Sequence, residues 1–100
     1  MEKKTEILVI GRNAEILATV VRLINNNEKW SGTGCQTDEE ALQNFTQTDF
    51  DLVLIGGGID AESEASLNEQ FKSIRPEIKI VRHYGGGSGL LTTEILEAIR

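Results

Sequence analysis

Eight of the ten glycines lie in three places: Gly11, Gly56-Gly57-Gly58, and Gly85-Gly86-Gly87 with Gly89. Each place follows an apolar run: Ile7-Leu8-Val9-Ile10, Leu52-Val53-Leu54-Ile55, and Ile80-Val81. Glycine lets backbone approach a ligand closely, and successive N–H groups in turns form concave anion sites. Arg12 and His83 add positive charge, Asn13 an amide, and Ser88 a hydroxyl before a last helix. Arg12, Asn13, Gly57, Gly86 and Ser88 are therefore candidates for binding a small anion or a nucleotide. The plainer reading is that the glycines only shorten loops. No GxxxxGKS/T pattern is present, and Gly11 stands alone between the first strand and helix where GxGxxG would be needed, so the plainer reading is preferred.

Other reactive side chains read similarly. His83 is the only histidine, with no motif-placed nucleophile beside it and no acidic orienter, so it reads as a structural residue at a strand end. Cys35 has no cationic sequence neighbour to lower its pKa and reads as a small buried residue. Asp38-Glu39-Glu40 begin a helix, where negative charge is favourable. Asp60, Glu62 and Glu64 match no calcium loop and read as a solvated face. Trp30 has no basic stretch around it and reads as a partly buried anchor. No catalytic residue, metal or cofactor is expected, and the chain is not expected to be an enzyme.

The elements that carry these residues follow from periodicity. Ile7–Ile10 and Leu52–Ile55 are continuous apolar runs, the mark of strands covered on both faces. Asn13 caps a helix with Ile16, Val20, Leu23 and Ile24 at helical spacing, widened by Leu17 and Val21. Trp30 to Gln36, with two glycines, reads as a weak edge strand. Thr37 or Asp38 caps a short helix, Thr37 with Glu40 suiting a capping box, and Ala41, Leu42 and Phe45 face inward. A helix over about Ala61 to Ser73 should bury Ala65, Leu67, Phe71 and Ile74 before Arg75-Pro76 breaks it. Ile78, Ile80 and Val81 form a fourth strand, and Leu91, Ile95, Leu96, Ala98 and Ile99 a last helical stripe.

One hundred residues make a single domain, 1–100, with 1–4 a flexible start. The net charge of −6 argues against nonspecific binding to nucleic acid or anionic membrane. One cysteine excludes an internal disulfide, and no long apolar run follows the amino terminus, so a cytoplasmic protein is expected. Alternating strands and helices imply a parallel sheet between helix layers, a three-layer α/β sandwich. Gly11, Gly56 and Gly85 would then share the carboxyl edge of the sheet, where such folds bind ligands.

Four segments in this order resemble the receiver domains of two-component response regulators: Lys4-Thr5-Glu6-Ile7-Leu8-Val9-Ile10, Asp38-Glu39-Glu40-Ala41-Leu42, Phe50-Asp51-Leu52-Val53-Leu54-Ile55 and Thr93-Glu94-Ile95-Leu96-Glu97-Ala98-Ile99. The resemblance covers most of the chain and implies a flavodoxin-like sheet in the order 2-1-3-4, with the usual fifth strand missing. Receivers keep a magnesium-binding acidic pair after the first strand; those positions read Gly11 and Arg12. The phosphoaccepting aspartate position reads Gly56, and the hydroxyl position after the fourth strand reads His83. Magnesium needs hard oxygen ligands and aspartyl phosphate needs a carboxylate. The resemblance thus implies a pseudo-receiver, a signalling and protein-interaction module independent of phosphorylation. The cysteine-phosphorylated domains of the sugar phosphotransferase system share the layout, but their cysteine follows the first strand, where this chain has Gly11-Arg12-Asn13. Loss of a fifth strand would leave the fourth as an edge, with Lys79 and Arg82 on it. An edge is a template for strand addition, so a homodimer is the expected assembly.

Overall fold

The helices that follow the first three strands each begin after a residue whose side chain takes up a free backbone amide, and the first and third strands are built on continuous apolar runs. The structure, a computed structural model, describes residues 4–82, 93 and 95–98. β1 (Thr5–Ile10) leads to α1 (Ala14–Asn25), β2 (Trp30–Cys35) to α2 (Asp38–Gln47), and β3 (Leu52–Ile55) to α3 (Ala61–Ile74). β4 (Lys79–Arg82) follows, and Thr93 and residues 95–98 are helical. The strands form one sheet in the order β2-β1-β3-β4, parallel throughout. This is the flavodoxin-like α/β topology expected from the sequence. His83, Gly86, Ser88 and the missing fifth strand lie outside the described residues.

Two of the caps are those the sequence predicts. The Ile16 amide donates to Asn13 Oδ1 at 3.0 Å, and the Glu40 amide to Thr37 Oγ1 at 3.1 Å. Glu40 returns by accepting from the Thr37 hydroxyl at 3.3 Å, not from its backbone amide. Asp60, not foreseen as a cap, accepts from the Ser63 amide at 2.8 Å and starts α3. Such caps each stabilise a helix by about 1 kcal/mol in typical proteins.

Alternation along the strands divides the core between two faces. Leu8, Ile10, Val53 and Ile55 meet Ala41 and Phe45 of α2 and Leu67 and Phe71 of α3. Ile7, Val9, Leu52 and Leu54 meet Val20 and Ile24 of α1, together with Trp30 and Ile95. Phe45 lies 4.6 Å from Phe71 by ring centroids. Arg75 lies over its other neighbourhood, 5.5 Å from the Phe45 ring, and donates to the Phe50 carbonyl and Asp49. Burying each large apolar side chain contributes about 1.5–3 kcal/mol, so these two layers carry the fold.

Four expectations need correction. Ala65 is exposed, because it lies on the side of α3 opposite Leu67. Ile74 shares Leu67's face but is 47% exposed, since it ends the helix where the chain turns away from the sheet. Ile16 is 59% exposed in the first turn of α1, beyond the strand ends. Trp30 is fully inside, not partly buried.

The glycines of β2 have a packing role. A Cβ at Gly32 would stand 3.0 Å from Ile24, and one at Gly34 2.9 Å from Val21. Their absence lets α1 lie close over an edge strand. Two outward amides of that edge are also taken from within the chain: Trp30 donates to the Asn27 carbonyl at 3.1 Å, and Gly32 to Asn25 Oδ1 at 2.8 Å.

Candidate functional site

The carboxyl ends of β1 and β3 are neighbours, and from them the chain leaves toward opposite faces of the sheet: α1 on one side, α3 on the other. Such a divergence opens a crevice that backbone alone does not fill. Here it forms a pocket of about 550 Å³. Its floor is Gly11 and Gly56, and its apolar wall is Val9, Ile16, Leu17 and Val20. Arg12 and Arg82 stand at its margin.

The floor is closely built. The Gly56 amide donates to the Ile10 carbonyl at 2.7 Å and the Gly11 amide to the Cys35 carbonyl at 3.0 Å. A Cβ at Gly56 would lie 3.0 Å from the Ile10 oxygen, tighter than ordinary contact. Gly58 has φ +84°, a left-handed conformation that disfavours any other residue. A Cβ there would also stand 2.9 Å from the Arg12 Cβ. Gly57 differs: a Cβ there meets nothing within 4 Å.

Arg12 is engaged on both sides. Its backbone amide donates to the Gly57 carbonyl at 3.4 Å. Its guanidinium donates to the Gln36 carbonyl at 2.7 Å and to Asp38 at 2.7 Å, and Gln36 returns a bond to the Arg12 carbonyl at 3.3 Å. The pair is one-third exposed and worth no more than about 1 kcal/mol by itself. Its effect is positional, since it ties the end of β1 to the start of α2. Arg82 pairs with Glu64 of α3 in the same manner. Glu64 is thus half-buried and paired, not part of the solvated face expected for Asp60, Glu62 and Glu64.

Of the residues predicted to bind an anion, Arg12, Asn13 and Gly57 line the pocket. The Arg12 charge is already met by Asp38, and the Asn13 oxygen is spent on the helix cap. Gly86 and Ser88 lie outside the described residues. Asp60 sits by the same edge; its bonds from Ser63, backbone first, and then the Arg12 charge hold its carboxyl below the ordinary range. A divalent cation does not fit this set. Gly11 offers no side chain, Arg12 is a cation, and no group of three or more metal-ligating side chains occurs among the described residues.

Cys35 is sealed, 1% exposed. Burial pushes its thiol pKa up, Glu40 adds to the rise, and the Asn44 amide bond to sulfur at 3.4 Å opposes it. It is a packing residue, as the sequence suggests. The pairings of Arg12 with Asp38 and of Arg82 with Glu64 were not legible in advance. The only advance signal was that Gly11 and Gln36 each follow a strand, so their neighbours meet at one edge.

No family model matches the chain, and no curated protein matches it. Solved structures match its fold. A response regulator receiver domain protein from Clostridium thermocellum superposes with a TM-score of 0.74 at 17% identity, covering 95% of this chain and 94% of that one. The signal receiver domain of an HD domain-containing protein from Pseudomonas fluorescens Pf-5 gives 0.71 at 16% identity, covering 99% and 72%. A candidate pilus assembly protein from Burkholderia thailandensis E264 gives 0.62 at 21% identity, covering 95% and 80%. The chain has the receiver-like fold.

Proposed function

We propose that this chain is a receiver-like signalling and interaction module that works without aspartyl phosphate. The observation that carries the reading is the chemistry at the ends of β1 and β3. Where the resemblance expects an acidic pair and an acceptor aspartate, this chain has Gly11, Arg12 and Gly56. Arg12 is held by Asp38 and the Gln36 carbonyl, so the edge is braced by an internal ion pair in the region where a receiver would hold magnesium. Gly56 has no nucleophile, and its close contact with Ile10 leaves little room for a side chain. The chain then acts by binding a regulatory partner in the cytoplasm and not as an enzyme.

The test is intact mass after incubation with acetyl phosphate and magnesium. The expected result is an unchanged mass. A hydroxylamine-sensitive phosphoryl adduct would sink the proposal.

The module is proposed to act as a homodimer through β4 and the last helix. Supporting this, β4 pairs only with β3 among the described residues, and Leu96 is 52% exposed on that helix. Light scattering across a concentration series should show the mass of two chains, reduced in Leu96→Glu. A single-chain mass at every concentration would remove the dimer and leave the phosphate-independent reading intact.

A further inference from the structure

We infer that the carboxyl-edge pocket binds an uncharged, mainly apolar small molecule. The inference does not rest on the proposed function. The pocket's volume, about 550 Å³, falls within the few hundred to roughly a thousand Å³ typical of small-ligand sites. It lies where adjacent strands send the chain to opposite faces of the sheet, the place where open α/β sheets leave a usable crevice.

The described part of its lining points to the ligand class. Val9, Leu17 and Val20 supply a branched aliphatic wall, and Gly11, Gly56 and Gly57 a floor without side chains. Ile16 lies at the margin, 59% exposed. A large apolar side chain beside an apolar hollow gains by being covered, at roughly 25 cal/mol for each Å² removed from water. The charged residues among its described lining are matched internally: Arg12 with Asp38 and Arg82 with Glu64. An anion would have to break one of those pairs, whereas a neutral apolar molecule leaves both in place. The volume suits a molecule of two or three fused or linked rings better than a helix or a strand from a partner.

The experiment uses the full chain and two dyes with related ring systems. N-phenyl-1-naphthylamine is uncharged; 8-anilinonaphthalene-1-sulfonate carries a sulfonate. The uncharged dye should bind saturably, about one per chain, and more tightly than the sulfonate. Ile16→Asp, on an exposed position, and Gly57→Leu, where an added side chain has open space, should each weaken it on the order of tenfold with the far-ultraviolet spectrum unchanged. Ile74→Ser, at the opposite end of the sheet, should leave binding as it was. Amide shifts in a two-dimensional spectrum should centre on Gly11, Ile16 and Gly57. The inference is overturned by absent or non-saturable binding, by tighter binding of the sulfonate, by affinity retained in both Ile16→Asp and Gly57→Leu, or by shifts confined elsewhere. None of these outcomes bears on the acetyl phosphate test.

Discussion

The glycines of β2 and those that follow β3 are the same residue put to opposite uses. At Gly32 and Gly34 an added Cβ would strike Ile24, Val21 and Leu17, so these glycines are filled space, occupied by α1. At Gly57 an added Cβ would meet nothing. Between these extremes stand Gly56, pressed on the Ile10 carbonyl, and Gly58, held at φ +84° against Arg12. The difference teaches that a cluster of glycines is not itself a site. What marks a cleft is the glycine whose missing side chain no neighbour replaces.

The sharpest way to break this comparison is chemical. Cys35, on packed β2, should react with iodoacetamide far more slowly than a cysteine placed by Gly57→Cys. A ratio on the order of a hundredfold is expected, because the first thiol reacts only through local opening. Comparable rates, read by mass spectrometry, would mean that the two regions are equally open. Next in size is Gly34→Val, which forces branched carbons into Val21 and Leu17. It should lower stability by about 2–3 kcal/mol in urea unfolding. A loss below 1 kcal/mol would show that α1 shifts easily and that the close packing is incidental.

Gly58→Ala tests the intermediate case and should cost about 1–2 kcal/mol, from left-handed backbone and contact with Arg12. Gly57→Ala should have the smallest effect and the opposite sign. Its φ lies outside the left-handed range and its Cβ has space, so restricting the unfolded chain should stabilise by about 0.5 kcal/mol. A measurable loss there would place Gly57 with the packed glycines.

Much of this architecture was legible in the sequence. Consecutive apolar runs marked β1 and β3, and Asn13 and Thr37 marked helix starts, because strand burial and capping are local effects. At two positions the core assignment failed because burial depends on where an element ends. Ile16 and Ile74 carry the right spacing, yet each lies at a helix terminus that overhangs the sheet. The candidate site was less legible. Arg12 could be seen as a cation beside glycines, but its neutralisation by Asp38 needed the register of β1 against β2. Glu64 looked solvated because its partner, Arg82, comes from a strand that only the fold sets beside α3.

The amides donated by Trp30 and Gly32 to Asn27 and Asn25 bear on stoichiometry. A sheet with two open borders can recruit copies at both and grow without limit. Here two donors of one border are already engaged within the chain, which makes it the poorer template for a newcomer. Association by strand pairing at the other border would then have a valence of one, and a unit of valence one makes pairs and stops.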